Sequence, residues 1–150
     1  MRVEDVMTGE VRTANREDDL KNVASVICAL KVSGLPVVDE INRLVGIISE
    51  KDILNALLPS YSEYLADPVK GRDFEAMEAT YPKVMEKKVD EIMTSSVFTC
   101  SPEDPVLDAA SRMTSHHFRR LPVVDEKNVL VGIVSLSDIH QSIFKQTFAL

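Results

Sequence analysis

Gly46, Ser49 and Asp52 stand at the spacing Gly-x-x-Ser-x-x-Asp, and Gly132, Ser135 and Asp138 repeat that spacing 86 residues later. In both places an apolar run, Leu44 to Ile48 or Leu130 to Val134, leads into residues suited to opening a helix. A strand-to-helix junction favours anions, because the first N–H groups of a helix lack intrahelical partners and a serine there adds a hydroxyl donor. An aspartate three residues on falls in the first helical turn, where its two oxygens can accept from the vicinal hydroxyls of a ribose. A phosphorylated nucleoside would satisfy both groups. The same residues also suit a capping box, in which the serine and the acid three positions later bond each other's backbone N–H. That second reading needs no ligand.

His116, His117, Arg119 and Arg120 form the densest basic cluster, directly before Leu121-Pro122. Planar guanidinium forks suit phosphate through paired, charge-assisted hydrogen bonds; the alternative is a solvated basic edge. Two adjacent histidines without an HExxH-like spacing face different ways and make no metal-ligand pattern. Cys28 and Cys100 have no CxxC spacing and no neighbouring His or Cys to complete a zinc site, and both are expected as small, reduced, buried residues. No nucleophile stands beside a base, so catalysis is not expected. A net charge of -7 argues against a broad nucleic-acid face. No apolar run approaches the roughly 20 residues needed to cross a bilayer, and Met1-Arg2-Val3-Glu4-Asp5 lacks a signal peptide's apolar stretch. The expectation is a cytoplasmic protein without membrane contact.

The elements that must position these residues are written twice. Leu35-Pro36-Val37-Val38-Asp39-Glu40 returns as Leu121-Pro122-Val123-Val124-Asp125-Glu126, and the offset of 86 also carries Val3 to Val89, Met7-Thr8 to Met93-Thr94, and Thr13 to Thr99. A constant offset over separated landmarks marks duplication of one structural unit. Within each unit, Val11-Arg12-Thr13 or Val97-Phe98-Thr99 is a short strand candidate. Helices follow: Leu20, Val23, Ala24, Ile27 and Leu30 share one face in the first copy, and Val106, Ala110 and Met113 in the second. Ser101-Pro102-Glu103-Asp104 combines a hydroxyl N-cap, proline at the first helical position and acids in the first turn, which predicts a helix start there. Two strands joined by a polar turn come next, as in Pro36-Val37-Val38 and Leu44 to Ile48, and the second run lacks alternation, as in a strand covered on both faces. A second helix starts near Ser49 or Glu50. Each repeat thus reads strand, helix, strand, strand, helix.

With 150 residues, 45% hydrophobic and 27% charged, the chain matches one soluble α/β (α+β) unit. Its boundaries read as a first repeat over 1–58, a connecting insert over 59–86 and a second repeat over 87–150. Neither repeat offers enough cover for its own sheet, so the two are expected to share one core. The insert carries Pro59, Asp67-Pro68, Gly71 and Pro82 and predicts a helix over 73–80.

As a set, the opening Val-x-x-Val/Ile-Met-Thr, the Thr-ending segment, Leu-Pro-Val-Val-Asp and Gly-Ile-Ile/Val-Ser-x-x-Asp-Ile resemble the cystathionine-β-synthase (CBS) domain family over nearly the whole chain outside the insert. The resemblance implies two pseudo-symmetric repeats holding adenosyl ligands, such as AMP, ADP, ATP or S-adenosylmethionine, in clefts between them. It implies a regulatory module with no obligatory cofactor and no metal, a homodimer, and an unidentified regulated protein as partner. Ser49 and Asp52 would hold phosphate and ribose in one cleft, and Ser135 and Asp138 in the other. Residues near Thr13, Val37, Thr99 and Val123 would line the clefts, although the valines equally suit core packing. Arg119 and Arg120, with His117 beside them, would serve the Asp52 cleft, where Lys51 adds a further charge; the Asp138 cleft would face Ser33 and Gly34. A ligand-free module for dimerisation or protein interaction is the alternative.

Overall fold

Helical periodicity and capping residues place most of the elements where the sequence puts them. The computed structural model describes residues 1–148. The element order is α1 (Val3–Val6), α2 (Leu20–Leu30), β1 (Gly34–Val38), β2 (Leu44–Ser49) and α3 (Glu50–Asn55). The insert holds α4 (Tyr61–Ala66), a 3-10 turn at Lys70–Arg72, α5 (Phe74–Glu78) and α6 (Tyr81–Val84). The second copy follows as α7 (Val89–Ile92), α8 (Val106–Ser115), β3 (Arg120–Val124), β4 (Leu130–Ser135) and α9 (Leu136–Phe148). Duplication extends to the backbone. Lys31 and His117 end α2 and the α8 segment at φ 55° and 59°, while Asn42 and Asn128 turn the two hairpins at φ 65° and 64°. Each pair is 86 residues apart.

Several expectations need correction. Residues 11–13 and 97–99 form no strand; what remains is one parallel bridge per copy, Ala14 to Val37 and Cys100 to Val123. The Ala14 and Cys100 N–H groups donate to the carbonyls of Pro36 and Pro122 at 2.9 and 3.1 Å, and a proline has no N–H with which to extend a ladder. Helix α8 starts at Val106 rather than at Pro102. Asp104 closes a turn on Ser101 instead, through Ser101 N to Asp104 Oδ2 at 2.9 Å and Asp104 N to Ser101 O at 3.1 Å. Its buried face uses Ala109, with Ala110 only half-buried, and Leu30 of α2 is exposed. Strand β2 alternates buried and half-buried residues, as does β4, so one face is less covered than the unpatterned run suggested.

The chain forms two compact units that cut across the two copies. One comprises Thr13–Val37 and Val45–Ser96. Its core joins Leu20, Ile27, Val37, Ile48 and Ile53 of the first copy to Val84 and Met85 of the insert and to Val89. The leading Met93-Thr94 segment of the second copy therefore belongs here: Ile47 and Thr94 exchange both backbone hydrogen bonds at 2.9 Å. The insert is more helical than its sequence predicts, and the helix foreseen over 73–80 is the shorter α5.

The other unit comprises Met1–Arg12, Val38–Leu44 and the residues from Val97 on. Here the first copy's leader packs with the second copy. Val3 lies in a cluster with Val106, Met113, Leu121, Val134 and Ile139, and Thr8 and Ile133 exchange backbone bonds at 2.8 and 2.9 Å. Strands β3 and β4 pair antiparallel with Arg120 opposite Ser135 and an irregularity between Val123 and Val124. Val38, Leu44, Val124 and Leu130 form a further buried cluster drawn from both hairpins. A reciprocal clasp closes it. Asn42 Nδ2 donates to Leu130 O at 3.0 Å and Asn128 Nδ2 to Leu44 O at 2.9 Å, while the Leu44 and Leu130 N–H groups donate to Asn128 O and Asn42 O. Each unit thus draws core residues from both copies.

Candidate functional site

Ser49 ends β2 in extended conformation and is the N-cap of α3. Its N–H and its hydroxyl both donate to Asp52 Oδ2, at 2.9 and 2.8 Å, and Asp52 N donates back to Ser49 Oγ at 3.2 Å. The capping-box geometry is thus realised around a half-buried carboxylate. Thr94 Oγ1 donates to the other oxygen, Asp52 Oδ1, at 2.7 Å. Thr94 is exposed, as is Lys51 on the first turn of α3. Gly46 is required by packing rather than by an anion: a Cβ there would stand 2.8 Å from Thr94 O and 2.9 Å from Met93 Sδ. Gly34 is similarly confined, its notional Cβ only 2.6 Å from Ile48 O.

In the other unit, Asp138 N donates to Ser135 Oγ at 3.0 Å, but Ser135 N reaches Asp138 Oδ2 only at 3.3 Å. Gly132 repeats the crossing, since a Cβ would meet Met7 Sδ at 2.7 Å and Thr8 O at 2.8 Å. Leu136 N donates to Arg119 O at 3.0 Å, and Arg120 pairs with Ser135 in register. This places the backbone of both arginines at the junction that carries Ser135, with their side chains exposed. His117 is the left-handed residue after α8. His116 stacks near Phe98 and Phe118, with ring centroids 4.4 and 5.9 Å away.

Thr13 and Thr99 each precede a bridge residue and are half-buried. Val37 and Val123 are 0% exposed and belong to the cores of their own units, so their side chains follow the core-packing alternative. Thr99 O accepts from Arg112 Nη1 at 2.8 Å, and Arg112 Nη2 holds Asp104 at 2.6 Å and Asp108 at 3.2 Å. The first copy has Val26 at the corresponding position, so this clamp exists once. Ser49, Asp52 and Thr94 are thus brought together in one unit, and Ser135, Asp138 and the Arg119-Arg120 backbone in the other. The role of Thr94 was missed in the sequence, although its place in the repeated Met-Thr step was visible. Asn42 and Asn128 were also missed, despite standing at the common offset.

Cys100 is buried and Cys28 is exposed, which corrects the expectation that both are buried. Burial pushes the Cys100 thiol up to about 11. Among the described residues no cluster of His, Cys, Asp or Glu could hold a metal ion, and no helix is long and apolar enough to cross a membrane. A separate open hollow of about 740 Å³ lies between Leu57 and Leu58 at the end of the first repeat and Ala66, Gly71 and Met77 of the insert.

Duplicated hairpins, each followed by a helix that starts on a Ser–Asp pair, define a two-repeat α/β module. The CBS domain model matches residues 3–59 and 89–145, and the chain belongs to the CBS domain family. An uncharacterized protein of Methanocaldococcus jannaschii, MJ1426, is 32% identical over 154 residues, covering 95% of this chain and 91% of that one. CBSX2 solved in complex with AMP is 28% identical, with a TM-score of 0.74, covering 97% of this chain and 98% of that one. The CBS domain pair of protein MJ0100, solved with 5'-methylthioadenosine and S-adenosyl-L-methionine, is 27% identical, with a TM-score of 0.69 and the same coverages. In relatives named homoserine O-acetyltransferase, L-aspartate semialdehyde sulfurtransferase and inosine-5'-monophosphate dehydrogenase, the match covers 24%, 22% and 23% of the relative's length.

Proposed function

We propose that this protein is a regulatory module that senses adenine nucleotides or related adenosyl ligands and performs no catalysis itself. The observation that carries this reading is the Ser–Asp pair at the start of α3 and again at the start of α9, each with a half-buried carboxylate. Ser135 adds a hydroxyl donor where a helix N-terminus favours phosphate, Ser49 lines the equivalent junction with its own hydroxyl donated to Asp52, and Asp52 and Asp138 accept from ribose hydroxyls. Arg119, Arg120 and Lys51 supply positive charge for phosphate, with the His117 imidazole beside the arginines as a further polar contact, while Thr13, Thr99 and the backbone beside Val37 and Val123 contact the base. The neighbours solved with AMP and with 5'-methylthioadenosine and S-adenosyl-L-methionine support the ligand class. The working assembly is a homodimer in the cytoplasm, built from the repeats 1–58 and 87–150 with the insert 59–86 between them, and it signals to a regulated protein.

The test is thermal unfolding with AMP, ADP, ATP, 5'-methylthioadenosine and S-adenosylmethionine, each in turn. A ligand at about 100 times its dissociation constant adds roughly 2.7 kcal/mol of stability. Asp52→Ala or Asp138→Ala should weaken one binding event about tenfold to a hundredfold, as expected for loss of hydrogen bonds to a charged group. A second reading, a ligand-free interaction module, draws on the internal satisfaction of Asp52 by Ser49 and Thr94. Absence of any melting shift with all five ligands would favour it.

A further inference from the structure

The two ligand aspartates occupy matched positions but differ in how many of their acceptor sites are already used. A carboxylate offers about four lone-pair sites. At Asp52, Oδ2 accepts from Ser49 N and Ser49 Oγ, and Oδ1 accepts from Thr94 Oγ1. One site remains, whereas a vicinal diol brings two O–H donors. At Asp138, among the described residues, only Ser135 N donates to the carboxylate, at 3.3 Å. Thr8 is held over β4 by the same backbone exchange that holds Thr94 over β2, yet among the described residues its hydroxyl makes no bond to Asp138.

From this difference we infer that Thr94 is a positioning residue that occupies the diol-accepting oxygen of Asp52, so that a riboside must displace its hydroxyl there and need not do so at Asp138. The inference rests on the assignment of both aspartates as ribose acceptors. Thr94 is the bond that yields. It is exposed, so water can replace the lost contact, whereas the Ser49 N–H is tied into the cap of α3. Ligands without phosphate, which depend most on base and ribose, therefore favour Asp138, and Thr94 acts as a ligand-specific brake on the first repeat. Removing the hydroxyl should tighten binding, an effect of opposite sign to that of a damaged fold.

The experiment is calorimetric titration with adenosine in an Asp138→Ala background, which leaves Asp52 as the only ribose acceptor. Adding Thr94→Val should tighten adenosine by about fivefold to tenfold, the scale of one charge-assisted hydrogen bond partly replaced by water. Thr94→Ser, which keeps a hydroxyl, should match the parent. 2',3'-Dideoxyadenosine should show no gain, because it offers no diol. Unchanged or weaker adenosine binding in the Thr94→Val protein, or a Thr94→Ser protein that tightens equally, overturns the inference. If instead Asp52→Ala and Asp138→Ala each leave adenosine binding as it was in the parent, the ribose assignment itself fails.

Discussion

Replacing Asn128 separates two contributions that its structure combines. Its side-chain amide donates to Leu44 O at 2.9 Å, and its backbone sits at φ 64°. Asn128→Ala loses the hydrogen bond, worth about 1 kcal/mol net, and with it the polar side chain that lets asparagine tolerate the left-handed region, while keeping the Cβ that is strained there. The loss relative to the parent is about 1–2 kcal/mol. Asn128→Gly loses the same bond but adopts the turn without strain, with under about 1 kcal/mol of added chain entropy in the unfolded state. A chain of this size shifts its melting temperature by roughly 2–4 °C per kcal/mol. Calorimetric melting should therefore place the alanine protein below the glycine protein, and both below the parent. Asn42 makes the reciprocal contact, so the two sites should couple: the Asn42→Gly/Asn128→Gly protein should depart from additivity by at least about 0.5 kcal/mol. An alanine variant as stable as the glycine variant would refute the turn argument. Strict additivity would refute the clasp.

Three further outcomes follow from other parts of the chain. Gly132→Ala places a methyl 2.8 Å from the backbone carbonyl of Thr8, so urea titration should show a loss of about 1–3 kcal/mol from overpacking; a neutral result would mean that the Met7-Thr8 leader moves freely. Native alkylation followed by mass spectrometry should label Cys28 and spare Cys100, whose thiol is raised from 9.0 to about 11 by burial. With the folded value above the unfolded one, Cys100 contributes stability that is complete below about 9 and lost as pH rises through about 11; equal labelling of both thiols at neutral pH would contradict this. Arg119→Ala/Arg120→Ala should weaken AMP by about tenfold or more while changing adenosine little, as the proposed phosphate role of the two arginines requires; equal losses for both ligands would remove the arginines from that role.

The duplication, the order of helices and hairpins, and both Ser–Asp junctions were legible in the sequence because they rest on local rules. Capping preferences, a 3.6-residue apolar period and polar turns act within a few neighbouring residues, and the offset of 86 repeats them. Even there, local competition mattered: the Ser101 to Asp104 stretch has the composition of a helix start, but its aspartate closes a turn and is held by Arg112 from one helix further on. What the tertiary structure decided are contacts between residues distant in the chain. Met7-Thr8 crosses β4 and Met93-Thr94 crosses β2, which explains both glycines of the repeated motif by close backbone approach rather than by ligand chemistry. Asn42 and Asn128 clasp across more than eighty residues, and Thr94 finds Asp52 while Thr8, its equivalent, makes no bond to Asp138. Two identical motifs thus acquire different surroundings. Periodicity records which way a side chain faces along its own element, whereas the partner it meets depends on how the whole chain closes.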